Sequence, residues 1–128
     1  MSAGSVSKQE LVLTLKGKTS LNLELKRHLA PKTVGFIMRS IPIEGNAHMI
    51  GTSIAFVDTT IRAGGEKLQT QFKKGDVVFL ASNSSICFFI EDMSSTKSMT
   101  LIGKITSNIE SLKNVKPGDI FTITQAGT

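Results

Sequence analysis

The sequence predicts a mainly β domain, a closed antiparallel barrel of about eight short strands capped by two helices. Three observations predict it. Short runs of alternating apolar and polar residues recur along the chain. Gly- and Ser-rich turns, not long linkers, separate them. Only two windows carry helical signals. A chain of 128 residues is one domain of ordinary size, here residues 10–128 behind a small, polar N-terminal tail of residues 1–9.

The elements follow in order. "LVLTLKGKTSLNLELK" is two alternating runs around Lys16-Gly17-Lys18-Thr19, a hairpin pattern. From Pro31 the period changes: Val34, Ile37, Met38 and Ile41 recur at i, i+3, i+4 and i+7. Pro31 suits a first helical turn and Pro42 stops the helix near Ile41. "IEGNAHMIG" reads as a loop punctuated by Gly45 and Gly51. Ile54 to Ile61 reads as β structure ended by Gly64-Gly65. "KKGDVVFLASNSSICFFIED" holds two strands, Val77–Ala81 and Ile86–Ile90, joined by a turn of small polar residues.

"MTLIGKIT" is a further strand, in which Gly103 marks a bulge or a close contact. Ser107 and Glu110 have capping-box spacing and open a short helix to about Lys113. A Lys116-to-Asp119 turn leads to the last strand, "IFTIT". Leu13, Leu23, Leu25, Val34, Ile37, Phe79, Phe88, Ile102, Ile105, Ile109 and Leu112 are the expected core. Phe88 and Phe89 should point to opposite sides of their strand.

Composition narrows the functions. No apolar run approaches the roughly 20 residues of a membrane span. A lone Cys87 and no apolar N-terminal signal segment suit a reducing cytoplasm. The first 39 residues hold seven basic and two acidic residues, while the remainder balances. Nucleic acid is disfavoured as a partner, because no Tyr or Trp is available to stack on bases and no helix carries a basic stripe. His28, His48 and Cys87 lack metal-site spacing. Neither a metal nor a cofactor is called for. Cys87 sits in an apolar run, which suits a structural thiol better than a nucleophile. Glu91 and Asp92 are adjacent on an extended chain and face apart, so they do not form a catalytic pair. The motifs alone define no reaction.

Four stretches, in order, resemble cyclophilins: "LNLELKRHLAPKTVGFI", "GDVVFLASNSSICFFI", "LIGKITSNIESLKNV" and "GDIFTI". Together they span about Leu11 to Ile123 and are most similar to the small prokaryotic cyclophilin-like proteins with shortened loops. The resemblance implies a cyclophilin-like barrel and the possibility of peptidyl-prolyl isomerisation. In the family an arginine donates to the proline amide region, and a Phe-lined pocket holds the ring. Matching Gly51 to the glycine before the family's His-Arg pair puts Ala55 at the His and Phe56 at the catalytic Arg. The family's pocket Phe becomes Ile61 and its neighbouring Met becomes Arg62. Phe89 is kept, the glutamine before it becomes Cys87, and "EDMSSTKSM" replaces the segment that supplies a Trp and a His.

Three function classes follow. The first is a non-catalytic or weakly catalytic binding module. It takes a peptide segment or small ligand in a groove between Ile54–Arg62 and Ala81–Phe89, built from Phe56, Ile61, Arg62, Ala81, Asn83, Cys87 and Phe89. The second is an active isomerase with Arg62 as the substituted donor. In the third, an assembly module, a second copy of the chain fills the apolar groove.

Overall fold

The structure is a computed structural model that describes residues 8–126. Nine strands and two helices follow in order: β1 Lys8–Leu15, β2 Thr19–Lys26, α1 Pro31–Ser40, β3 Ile43–Ile50, β4 Ile54–Asp58, β5 Gln69–Phe72, β6 Asp76–Leu80, β7 Ser85–Phe89, β8 Met93–Ile105, a 3-10 helix Ile109–Asn114 and β9 Ile120–Gln125. The sheet runs β2-β1-β9-β3-β4-β7-β6-β8, every neighbouring pair is antiparallel, and β2 pairs with β8 to close the ring. It is the expected eight-stranded barrel. The ninth strand, β5, lies outside the ring and pairs only with β8.

Alternation fixes which side chains enter the barrel. In β1 and β2 the buried residues are Leu11, Leu13, Leu15, Leu21, Leu23 and Leu25, every second position. Phe88 meets Phe121 edge to face inside, with ring centroids 5.6 Å apart. Ile105 and Ile109 pack only partly buried against this core, and the other expected core residues are buried. The α1 helix lays Val34 and Ile37 on the core, which explains the change of period after Pro31. The void left among Leu11, Leu25, Ile37, Phe88 and Ile102 is about 10 Å³. That is about the space of a single water, so the barrel interior is filled and any ligand must bind outside it.

Gly103 sits where the ring closes. A Cβ there would run into the backbone carbonyl of Glu24 on β2, and the β6–β8 register shifts beside it, between Val77 and Val78. Both features expected of this glycine are present.

Several local expectations are corrected. Lys8 and Gln9, placed in the tail, pair with Lys26 and Leu25 in β1; residues 1–7 lie outside the described residues. The segment expected as a loop, Ile43 to Ile50, is β3, with Ile43 and Ala47 turned inward. Thr59 to Ile61 leave the sheet after β4. The Ser107–Glu110 capping box does not form. Asn108, in a left-handed conformation, precedes the 3-10 helix, Ser107 Oγ accepts from Asn22 N, and Glu110 pairs with Lys74 and Lys113. The strand expected from Met99 begins earlier, at Met93, and runs to Ile105.

Candidate functional site

The decisive element is β8, whose two halves do different jobs. Thr100 to Ile105 builds the barrel wall against β6 and β2, while Met93 to Met99 pairs with β5 alone. The register between β5 and β8 slips between Gln69 and Gln71. The slip leaves extra β8 residues, Ser95 to Ser98, bulging from the ribbon. This ribbon overhangs the outer face of β4, β7 and β6.

Beneath it lies a second apolar layer, made of Ile54, Phe72, Val78, Cys87, Phe89 and Met99. All five residues of β7 are therefore buried: Ile86 and Phe88 inward, Ser85, Cys87 and Phe89 outward. The opposite orientations of Phe88 and Phe89 match the alternation expected.

Between ribbon and wall is a cavity of about 270 Å³. Ile54, Phe56, Leu80, Cys87 and Met99 form its apolar floor. Asn83, Ser85 and the ribbon residues Ser94 to Lys97 form its rim. Ile50 stands at the edge, 54% exposed. Phe56 is fixed from behind by His48, its partner across the β3–β4 ladder. The two rings stack with centroids 4.7 Å apart. His48 Nε2 is in turn 2.7 Å from Asp58 Oδ2.

The residues singled out from the sequence are only partly brought together. Phe56, Asn83 and Cys87 line the cavity. Phe89 lies on the same side but is fully covered, its ring packed 4.8 Å from that of Phe72. Ile61 is not in a groove; it turns inward and joins the main core. Arg62 is exposed and lines, with Ala81, Asn83 and Thr60, a separate polar depression beside the β6–β7 turn. Among the described residues it has no hydrogen-bond or ion-pair partner. No cleft separates β4 from β7, which are directly hydrogen-bonded neighbours; the residues expected in one groove divide between the depression lined by Arg62, Ala81 and Asn83 and the cavity lined by Phe56, Asn83 and Cys87. The cavity lies over β4 and β7, under the ribbon.

Cys87 is a buried thiol. Burial pushes its pKa up to about 12, so at neutral pH it is an apolar surface and not a nucleophile. Among the described residues no group of three His, Cys, Asp or Glu side chains is arranged to hold a metal. Among the described residues no helix is long and apolar enough to cross a membrane.

The strap between β4 and β5 is pinned at both ends. Thr59 donates through N and Oγ1 to Ser84 O, at 2.9 and 2.6 Å. Further along, Glu66 N donates to the buried Thr100 Oγ1 at 2.9 Å. The Glu66 carboxylate accepts from Thr33 N at 2.7 Å and Thr33 Oγ1 at 2.8 Å, in the first turn of α1. Ala30 offers that helix no side-chain cap, so Glu66 caps it from a distance. Burial works to raise the Glu66 carboxyl, and the donors of Thr33 and Lys32 outweigh it, leaving its pKa below the ordinary value.

A closed eight-stranded antiparallel barrel with a filled interior, a capping helix and a ligand-sized cavity on its outer wall defines the cyclophilin-type barrels. The chain belongs to the cyclophilin-like family, whose sequence profile matches residues 9–124. In structure it is similar to the hypothetical protein AF2241 from Archaeoglobus fulgidus, known in solution, with a TM-score of 0.80 and 23% identity over 94% of this chain and 96% of that one. It is also similar to McbB, determined in complex with tryptophan, with a TM-score of 0.78 and 9% identity. That match covers 92% of this chain but 45% of McbB. None of the curated proteins matches the sequence.

The cavity residues that the sequence did not reveal are Ile50, Leu80 and those of the β8 ribbon. The ribbon carries no apolar–polar alternation to read, because every residue between Met93 and Met99 is polar.

Proposed function

We propose that this protein is a cyclophilin-like binding module. It holds a peptide segment or small ligand by an apolar group seated in the outer-wall cavity, without efficient isomerisation of proline bonds. One observation carries the reading. Phe56, at the position the resemblance matches to the catalytic arginine, lies in the cavity floor. A phenyl ring offers an apolar contact and no donor. Isomerisation needs a donor aimed at charge that develops only in the twisted amide, and removing one such donor from a preorganised site costs about 10²–10³ in rate. Arg62 borders a different depression, which argues against its acting as the substitute.

The chain's own composition supplies the test. It has no Trp and no Tyr, so a short Trp-Pro peptide is the sole indole fluorophore in a mixture with it. The tryptophan complex of McbB guides the choice of an indole probe. Entry into the cavity should shift the peptide's emission to shorter wavelength, with saturation, and Phe56→Ala should weaken the titration. An unchanged emission at millimolar protein would reject the binding reading. Proline turnover in a protease-coupled assay at the level of ordinary cyclophilins would replace it with the isomerase. A second reading, assembly through a second copy, draws on the exposure of Ile50 at the cavity edge. Its test is whether sedimentation shows a dimer that Ile50→Asp dissolves.

A further inference from the structure

Resting on the cavity reading, we propose that its preferred occupant is a small apolar carboxylic acid, with the apolar part on the floor and the carboxylate at the β8 rim. The polar groups around the cavity are one-sided. Asn83, Ser85, Ser94, Ser95, Thr96 and Lys97 bring hydroxyls, an amide and an ammonium, and no carboxylate lines the opening. A ligand carrying a cation would find no counter-charge there. A ligand carrying an anion would find one cation, Lys97, and neutral hydroxyl and amide groups able to donate to it.

Two of those donors have their bonding capacity unspent. Ser95 Oγ accepts from Lys97 N at 3.0 Å, which folds the bulge onto itself. Its hydroxyl hydrogen has no acceptor among the described residues and is available to a ligand. The Lys97 ammonium likewise forms no ion pair with a described residue. Six other lysines pair with carboxylates, Lys8 and Lys26 with Glu24, Lys16 with Glu44, Lys18 with Asp119, Lys74 and Lys113 with Glu110, and the rest, among the described residues, do not. Among the unpaired lysines, Lys97 is the one that lines the cavity.

The size of the site selects a free small molecule over a chain terminus. A cavity of about 270 Å³, roofed by the ribbon, is near the lower end of the range for enclosed small-ligand sites. It accommodates one ring and a short tail. The floor contributes affinity by burying apolar area, and the rim sets the sign of charge accepted.

The experiment is calorimetric titration of the whole chain with 3-phenylpropionate and with its neutral primary amide, 3-phenylpropanamide, at low and high salt. The amide keeps the ring and shape and removes the charge. Exposed ion pairs are weak, so the acid should bind about threefold to fivefold more tightly than the amide at low salt. That preference should shrink at high salt and vanish in Lys97→Met, while Lys16→Met, at the distant β1–β2 turn, keeps it. Equal binding of acid and amide overturns the carboxylate and leaves the cavity reading standing. Binding of neither, in a protein whose melting is unaltered by both, overturns the cavity reading itself. An acetylated tripeptide ending in a free Phe carboxylate that binds more tightly than 3-phenylpropionate overturns the small molecule in favour of a peptide terminus.

Discussion

Replacing Glu66 by Ala removes the only side-chain cap that α1 has among the described residues, although residue 66 is far from the helix in sequence. Three donors lose their acceptor: Thr33 N, Thr33 Oγ1 and, at 3.4 Å, Lys32 N. Thr33 is fully buried, so water does not replace the carboxylate freely. Loss of an N-terminal cap costs about 0.5–2 kcal/mol, and a buried donor left unpaired about 1–3 kcal/mol. The two terms share the Thr33 N–H and do not add, which leaves an expected loss of about 2 kcal/mol.

With a urea slope of about 1–3 kcal/mol per molar for a small domain, the unfolding midpoint should fall by about 1 M. Glu66→Gln keeps one acceptor oxygen and should lose less. The pH dependence has a defined sign. Because the folded pKa is lowered, the contribution is present above the ordinary carboxylate value of 4.5 and is lost as pH falls through the folded one. Wild type should therefore lose part of its advantage over Glu66→Ala below about pH 4. An Ala variant whose midpoint stays within about 0.2 M of wild type at neutral pH would refute the distant cap.

Three further outcomes are expected. Gly103→Ala forces a methyl into the Glu24 carbonyl at the β2–β8 seam and should destabilise by about 3 kcal/mol, read from urea unfolding. Native Cys87, with a pKa of about 12, should be thiolate in roughly one molecule in 10⁵ at neutral pH. Its reaction with a disulfide reagent should therefore be slow until urea exposes it, and a prompt native reaction would contradict the burial. Arg62→Ala should leave both probe binding and proline turnover unchanged, since Arg62 borders another depression; a variant that abolishes either would put that arginine in the site.

The barrel was legible because alternation in β1 and β2 reports a one-sided wall, short apolar runs in β6 and β7 report strands covered on both faces, and the period after Pro31 reports a helix face. β3 was hidden by Gly45, Asn46 and His48, which look like loop residues. Gly45 is there because a Cβ would strike the Asp58 carbonyl of the neighbouring strand, a contact that exists only after folding. β5, "QTQF", carries a single buried residue and has no periodicity to read. Phe56 was legible as a site residue through the resemblance, and its His48–Asp58 support was not, because their meeting depends on the register of β3. Ile61 misled because matching it to the family's pocket Phe does not say which way a strap residue turns. It entered the core instead.

Exchange NMR on a proline peptide mixed with the ¹³C-methyl-labelled protein tests binding and turnover in one sample. Saturating peptide should shift the methyls of Met93, Met99 and Ile54 at the cavity and leave Leu11 and Val34 in the barrel core unmoved. The peptide's cis and trans signals should meanwhile interconvert at the uncatalysed pace of tens to hundreds of seconds. Peptide exchange cross-peaks on a sub-second mixing time, or methyl shifts confined to residues away from the ribbon such as Ala63 and Ala81, would contradict a non-catalytic module that binds beneath β8.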